Sequence, residues 1–226
     1  MTDSLKYGRR AAKSGKARSI VVFVHGYGAD GADLLGLADV LAPHLPDTMF
    51  YAPDAPQACA GNPFGRQWFP IPWLDGSSEA AAREGLIVAA QTLNGFLDAC
   101  LAEAGLADAA LALVGFSQGA MMGLHVAPRR ANRVAAVVGI SGRLLEPDAL
   151  AIEACVKPPI LLIHGDQDPV VPFDSMAAAG DLLSANGFEV YGHVMTGTGH
   201  GIANDGLSAA LGFLKDKLPG QTDPAF

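Results

Sequence analysis

The 226-residue sequence predicts an α/β protein with a mostly parallel central sheet flanked by helices. Short apolar runs alternate along the chain with longer segments whose apolar residues recur every three or four positions. Most of the short runs lack the polar–apolar alternation of a sheet with one wet face, so both of their faces should be covered. Strands that alternate with helices in this way form a parallel sheet between two helical layers.

Turn and capping residues bound the predicted elements. Strands are expected at 19–26, 48–54, 109–115, 133–141, 159–165 and 188–195. Helices are expected at 32–45, 78–104, 118–127, 147–155, 174–186 and 203–217. Pro46 should stop the first helix, and the longest helix should begin after Ser77 or Ser78 and end at Gly105.

Two segments fall outside this alternation. Residues 1–18 are basic and should form an edge hairpin that turns at Ser14 and Gly15. Residues 54–77 should form a long loop, rich in Pro, Gly and aromatic side chains, beside a substrate pocket. No insertion after the fourth strand is long enough to be a cap domain, so the sequence predicts a single domain over 1–226 without a large cap.

Charge and cysteine content exclude several function classes. The formal net charge of −8 disfavours a nucleic-acid partner, because such surfaces need clustered Lys and Arg. The three cysteines have no zinc-ligand spacing, so neither a metal site nor a disulfide framework is expected. The sequence shows no signal-peptide pattern, and polar residues interrupt its longest apolar region, 85–116. We therefore expect a cytoplasmic protein with no stable membrane insertion.

The motif that carries chemistry is Gly-x-Ser-x-Gly, formed by Gly115, Ser117 and Gly119 between a predicted strand and a predicted helix. In this context the motif is typical of a strained turn that exposes a nucleophilic serine. An ordinary helix N-cap is the alternative, and Thr, Asp or Asn would serve it equally well. A nucleophilic serine needs a base, and an acid that orients the base, at the same edge of the sheet, whereas a helix N-cap needs neither.

Asp168 and His200 follow the ends of the last two predicted strands. Because ligands bind at the carboxyl ends of parallel strands, both residues should share one rim of the sheet with Ser117. The order Ser, Asp, His is that of α/β-hydrolases. The segment HGDQDPVVP favours Asp168 over Asp166 and Asp174. The other histidines lie at strand ends, in helices or inside the last strand: His25, His44, His125, His164 and His193.

These residue types suit acyl transfer. A serine hydroxyl needs a base to take its proton, and a histidine can do so near neutral pH. A carboxylate then fixes the histidine tautomer and stabilises its charge. Preorganised backbone N–H groups must hold the oxyanion. We expect one from Gln118 and one from Tyr27, with Gly28 as the alternative to Tyr27, while Gly115 and Gly119 allow close packing around the serine.

A second motif gives a competing interpretation. GYGADG at 26–31 follows a strand, precedes a helix and matches Gly-x-Gly-x-x-Gly, while Asp54 ends the next strand. This is the outline of a dinucleotide site, so a dinucleotide-dependent reductase is one alternative. It leaves the Ser, Asp and His arrangement unexplained. A non-catalytic ligand receptor on the same fold is another alternative, but a receptor has no need of those three residues.

Four segments, FVHGYGADG, LVGFSQGAMMGL, HGDQDPVVP and GHGI, together resemble the phospholipase/carboxylesterase family, which includes the acyl-protein thioesterases. The resemblance runs from about residue 17 to 217. It implies a cofactor-free serine hydrolase that cleaves small-molecule esters or thioesters. Carried over residue by residue, it gives Ser117, Asp168 and His200 as the triad and Tyr27 and Gln118 as the oxyanion donors. It also makes a homodimer plausible.

The segment QWFPIPWLD at 67–75 departs from the thioesterase pattern, which has a Trp-aromatic-Asp motif in the loop before the long helix. The difference favours a bacterial carboxylesterase branch over an acyl-protein thioesterase or lysophospholipase. The candidates for substrate binding come from this loop and from the helix after Ser117: Trp68, Phe69, Trp73, Leu74 and Met121. A place in the core is the alternative for Met121. Packing that seals the sheet edge is the alternative role for the aromatic residues.

Overall fold

The strands form one large sheet and one small hairpin. The protein is described by a computed structural model that covers residues 5–59 and 62–220. Its strands in chain order are β1 (Tyr7–Arg10), β2 (Ser19–Val24), β3 (Thr48–Pro53), β4 (Gln57–Cys59), β5 (Asn62–Gln67), β6 (Leu111–Phe116), β7 (Ala136–Ile140), β8 (Ile160–Gly165) and β9 (Val190–Met195). Seven of them form the central sheet in the order β1-β3-β2-β6-β7-β8-β9, and β4 pairs with β5. Only β1 is antiparallel to its neighbour in the described sheet.

Helices cover both faces of this sheet. In chain order they are α1 (Gly31–Leu35), α2 (Leu37–Leu41), α3 (Pro72–Asp75), α4 (Glu79–Ala104), α5 (Gln118–Val126), α6 (Pro147–Glu153), α7 (Asp174–Ala185) and α8 (Asn204–Lys217). The sheet is thus mostly parallel and lies between two helical layers, as the sequence predicts. No long insertion follows β7, where α6 and β8 come next in the described chain.

Alternate residues of β2 face opposite sides of the sheet, and both sides are covered. This explains why residues 20–24 are all apolar. Ile20 and Val22 pack into the cluster formed with α4 and α5. Val21 and Phe23 pack into the cluster formed with α1, α2 and α8 on the other face. All six residues of β2 are buried. A central parallel strand therefore has no face left for polar side chains.

The long helix α4 begins and ends as its caps predict. The Ser78 hydroxyl accepts a hydrogen bond from the Ala81 N–H, and Gly105 ends the helix in the left-handed region at φ 65°. Buried residues recur every three or four positions from Gly85 to Leu101 and face the core. By length and composition alone this helix could cross a membrane, a criterion that core helices also meet.

Three segments differ from the prediction. Residues 1–18 do not pair with β2 as a hairpin: β1 pairs with β3, because both edges of β2 are already occupied by β3 and β6. The helix expected at 32–45 is divided at Gly36 into α1 and α2. The segment 54–77 contains the β4–β5 hairpin and α3 rather than a plain loop. Residues 1–4 and 60–61 of these segments lie outside the described range.

Candidate active site

Ser117 occupies a strained turn between β6 and α5. Its backbone has φ 53° and ψ −117°, a conformation that side-chain-bearing residues adopt only when the surroundings impose it. A Cβ added at Gly119 would overlap the carbonyl oxygens of Val24 and His25, and one at Gly115 would overlap the Gly119 carbonyl. Both glycines of the motif are therefore required by close backbone packing, as predicted. Such packing holds the strained serine in place.

The structure brings Ser117, His200 and Asp168 together at one rim of the sheet. Nε2 of His200 lies 3.0 Å from Oγ of Ser117, and Nδ1 lies 2.7 Å from Oδ2 of Asp168. An ionised carboxylate can only accept, so Nδ1 carries the proton in the neutral ring. Nε2 is then free to accept the proton of the serine hydroxyl. The ring also packs against Phe116, with 4.9 Å between the ring centroids.

Two backbone N–H groups, together with His200, hold the Asp168 carboxylate. Oδ1 accepts hydrogen bonds from the N–H groups of Val170 and Val171 at 2.8 and 2.9 Å. Burial is the largest single effect on this carboxyl and opposes its ionisation. The hydrogen bonds from His200, Val171 and Val170 together outweigh it, so the pKa of Asp168 lies below its ordinary value. The group is therefore a carboxylate at neutral pH.

His164, at the end of β8, contacts the same carboxylate from behind. Its Nε2 lies 3.0 Å from the Val171 carbonyl oxygen and 3.4 Å from Oδ2 of Asp168. A carbonyl oxygen only accepts, so this nitrogen carries a proton that is also directed near the carboxylate. The sequence places this histidine at a strand end and does not assign it to the site. The signal that could have identified it is its position near the carboxyl end of β8, because ligands bind at the carboxyl ends of parallel strands.

Two backbone N–H groups beside Ser117 are unoccupied. Gln118 is the first residue of α5, where helix N–H groups have no partner within the helix. Across residues 5–59 and 62–220, neither the N–H of Gln118 nor that of Tyr27 has a hydrogen-bond partner. The backbone of Gly26 packs on Ser117, where an added Cβ would lie 3.2 Å from the serine Cβ. The N–H of Gly28, the alternative donor, already bonds to the Arg66 carbonyl at 2.9 Å.

Trp68 lies behind this turn instead of lining a pocket. It is fully buried, and its indole N–H donates to the His25 carbonyl at 3.0 Å. Its backbone N–H donates to Oε1 of Gln118 at 2.9 Å, and Nε2 of Gln118 donates to the Phe69 carbonyl at 2.8 Å. The expectation that Trp68 contacts substrate is therefore wrong for its side chain. Trp68 instead ties the loop after β2, through its indole, to the start of α5, through its backbone N–H.

A cavity of about 650 Å³ opens between α3, the first turns of α4 and the segment after β7. Phe69 and Trp73, two of the candidates for substrate binding, line it together with Ile71, Leu86 and Leu145 on its apolar walls. Two other candidates do not line it. Leu74 is half exposed on α3, and Met121 is buried in the core because α5 turns that face towards α4.

Ser117 is not itself part of the cavity lining, but two segments of the lining connect to residues next to the serine. Phe69, on its wall, accepts the hydrogen bond from Gln118, the residue after Ser117. Gly142 packs on the other side, where an added Cβ would lie 3.3 Å from the Ser117 carbonyl oxygen, and Arg143 follows directly into the lining. The sequence contains no signal for Arg143 other than its position just after a predicted strand.

The loop GYGADG takes a form that suits no pyrophosphate. The start of α1 is capped by Asp30, whose Oδ1 accepts from the N–H groups of Ala32 and Asp33. The N–H of Gly31 donates to Oδ1 of Asp54 at 2.9 Å. Two carboxylates therefore occupy the donors that a phosphate would need. In the part of the chain that is described, no group of three or more His, Cys, Asp or Glu side chains could hold a metal ion.

A strained serine after a central parallel strand, with a histidine and a carboxylate after later strands, defines the α/β-hydrolase class. The phospholipase/carboxylesterase family model matches residues 8–218, and the chain belongs to that family. It is accordingly an enzyme, a serine hydrolase that acts on carboxylic esters.

Named relatives agree with this family. The chain is 28% identical to esterase YpfH of Escherichia coli, over 90% of this chain and 84% of that protein. It is 30% identical to acyl-protein thioesterase 1 of Neurospora crassa, over 90% and 88%. Among solved structures, esterase PE8 superposes with a TM-score of 0.90 at 43% identity, covering 95% of this chain and 99% of that one.

Proposed function

We propose that this chain is a carboxylesterase that hydrolyses small-molecule esters by acyl transfer to Ser117. The observation that carries the proposal is the chain of hydrogen bonds from Ser117 through His200 to Asp168, at a serine held in a strained turn. His200 takes the hydroxyl proton as Ser117 attacks the carbonyl carbon. Asp168 holds the ring in the tautomer that this requires and stabilises the imidazolium.

The tetrahedral intermediate places its negative charge on the former carbonyl oxygen. The free N–H groups of Tyr27 and Gln118 are the proposed donors to this oxyanion. Burial, with a contribution from Cys59, raises the pKa of the Tyr27 phenol to about 12, so that side chain stays neutral beside the site. His200 then gives its proton to the leaving alcohol, and the C–O bond to it breaks.

Deacylation repeats these steps with water. His200 removes a proton from a water molecule, the resulting hydroxide attacks the acyl-enzyme, and Ser117 leaves with the proton returned by His200. The free acid is released and the enzyme is restored. The cavity beside Ser117 is of a size usual for small-molecule sites, and its apolar walls suit an acyl chain.

Thioester hydrolysis is the second candidate. The relative from Neurospora crassa is called an acyl-protein thioesterase, and the same acyl-enzyme chemistry would serve either leaving group. Because sulfur leaves more easily than oxygen, the two activities need separate measurement. An oxygen ester and a thioester with the same acyl group distinguish the two activities.

The test is hydrolysis of p-nitrophenyl esters with acyl chains from C2 to C16. We expect Ser117→Ala to lower kcat by about 10³ or more, because the nucleophile is lost while binding remains. Ser141→Ala is the matched control, since Ser141 is also buried at a strand end with positive φ and has no base beside it. A serine-directed fluorophosphonate should label the wild type and Ser141→Ala but not Ser117→Ala. Equal activity in the two variants would refute the assignment.

A further inference from the structure

Arg143 is placed where a substrate would pass. It lies two residues beyond Ser141, in the segment after β7, and follows Gly142, which packs against the carbonyl of Ser117. Its side chain lines the cavity of about 650 Å³. The guanidinium carbon lies 4.4 Å from the centroid of the Trp73 ring. This cation–π contact holds the guanidinium over the ring, and its N–H groups remain available to a ligand.

Among residues 5–59 and 62–220, this guanidinium forms no ion pair with a carboxylate. Within the same residues, its Nε is buried without a hydrogen bond. Burial lowers the pKa of Arg143, and the charge of Glu79 only partly opposes this effect. An arginine stays protonated in proteins, so a partly desolvated cation lines the cavity, and the charge of Glu79 compensates it only in part.

Arg83 shows the contrast within the same cavity. It also lines the cavity, but its Nε lies 3.5 Å from Oε1 of Glu146 and its side chain is 76% exposed. Glu79 and Glu84 complete the charged lining from exposed positions on α4, where water and salt screen them. Of the two arginines, Arg143 is therefore the one that a ligand can pair with most strongly.

We propose that Arg143 binds a carboxylate at the far end of the acyl chain, so that the enzyme favours esters whose acyl part is itself an acid. This inference rests on the proposed esterase function of the same site. The apolar walls formed by Phe69, Ile71 and Leu86 accommodate the methylene groups. The guanidinium then donates two parallel, charge-assisted hydrogen bonds to the carboxylate, which together are stronger than a pair of neutral hydrogen bonds.

The test compares two p-nitrophenyl esters of equal chain length, the hexanoate and the monoester of adipic acid. They differ only in a terminal methyl group against a terminal carboxylate. We expect Arg143→Gln to lower kcat/KM for the adipate monoester by about tenfold or more. The same variant should keep kcat/KM for the hexanoate within about threefold. Arg83→Gln is the matched control and should leave the ratio of the two substrates unchanged.

An equal adipate-to-hexanoate ratio in the wild type and in Arg143→Gln would overturn the inference. If Arg143→Gln does not fold, Arg143→Lys replaces it, because lysine keeps the charge without the planar fork. That variant should lose several-fold in the ratio, and an unchanged ratio would count against the inference.

Failure of the esterase proposal would give a different result. Hydrolysis of the hexanoate would then be the same in the wild type and in Ser117→Ala. Calorimetric binding of the adipate dianion then decides the role of Arg143. Affinity that falls about tenfold in Arg143→Gln but not in Arg83→Gln supports the carboxylate site. Equal affinity in the wild type and both variants refutes it.

Discussion

The backbone N–H of Trp68 donates a 2.9 Å hydrogen bond to Oε1 of Gln118, the residue directly after Ser117. The Trp68 indole N–H donates to the carbonyl of His25 at 3.0 Å. His25 lies two residues before Tyr27, so one residue, through its backbone N–H and its indole, links the segments that carry both proposed oxyanion donors. Trp68 therefore helps to hold these two segments together, although it does not line the cavity.

Trp68→Phe should lower kcat about tenfold or more while KM changes little. The substitution keeps most of the ring volume but leaves the buried His25 carbonyl without its donor, which costs about 1–3 kcal/mol and loosens the oxyanion site. The measurement is steady-state kinetics with a short p-nitrophenyl ester. Trp73→Phe is the control, since Trp73 lines the cavity and should change KM more than kcat. A raised KM with normal kcat in Trp68→Phe would contradict the positioning role.

Strand-end reasoning located the three residues joined by hydrogen bonds because it needs only the order of the strands. The roles of residues 67–75 could not be read in the same way. Trp68 and Phe69 are adjacent, yet the first is buried behind the oxyanion turn and the second lines the cavity. Which side chain faces the site depends on the β4–β5 hairpin, whose position is fixed by tertiary bonds such as that from Arg66 to the Ala29 carbonyl. Local sequence does not encode those contacts.

Gly119→Ala should prevent stable folding, whereas Gly123→Ala should not. A Cβ at Gly119 would overlap backbone carbonyls of the central strand β2, which cannot move aside. At Gly123 in the same helix, the nearest atom to an added Cβ is 3.7 Å away. There alanine should stabilise the helix by about 0.5–1 kcal/mol. Urea unfolding of both variants provides the comparison, and similar midpoints would show that the close approach at Gly119 is relieved by relaxation.

Asp168→Asn should lower kcat by about 10³–10⁴, because an amide stabilises the wrong tautomer of His200 and no imidazolium charge. The pKa of Asp168 lies below its ordinary value, so the wild-type group is a carboxylate at the neutral pH of the assay. Asp166→Asn is the control: that carboxylate accepts from the Gly197 N–H at 2.7 Å and does not contact His200. Losses of equal size in the two variants would contradict the assignment of Asp168.

His125 should make the protein less stable in mild acid. Burial, aided by Arg129 and opposed by Glu153, lowers the pKa of His125 to about 4 in the folded state. In the unfolded chain the group titrates near 6.5, so between those pH values only the unfolded state binds the proton. The free energy of unfolding must then fall as pH falls, by up to about 3 kcal/mol between pH 7 and pH 4.

Urea unfolding at several pH values between 7 and 4.5 measures this effect. His125→Gln should flatten the dependence of unfolding free energy on pH, because the titrating group is gone. Some slope should remain, since burial also lowers the pKa of His25 and acts with the same sign. His44→Gln, at an exposed position on the surface, should keep the wild-type slope. If His125→Gln also keeps the wild-type slope, the assignment of a neutral, buried His125 in the folded state is wrong.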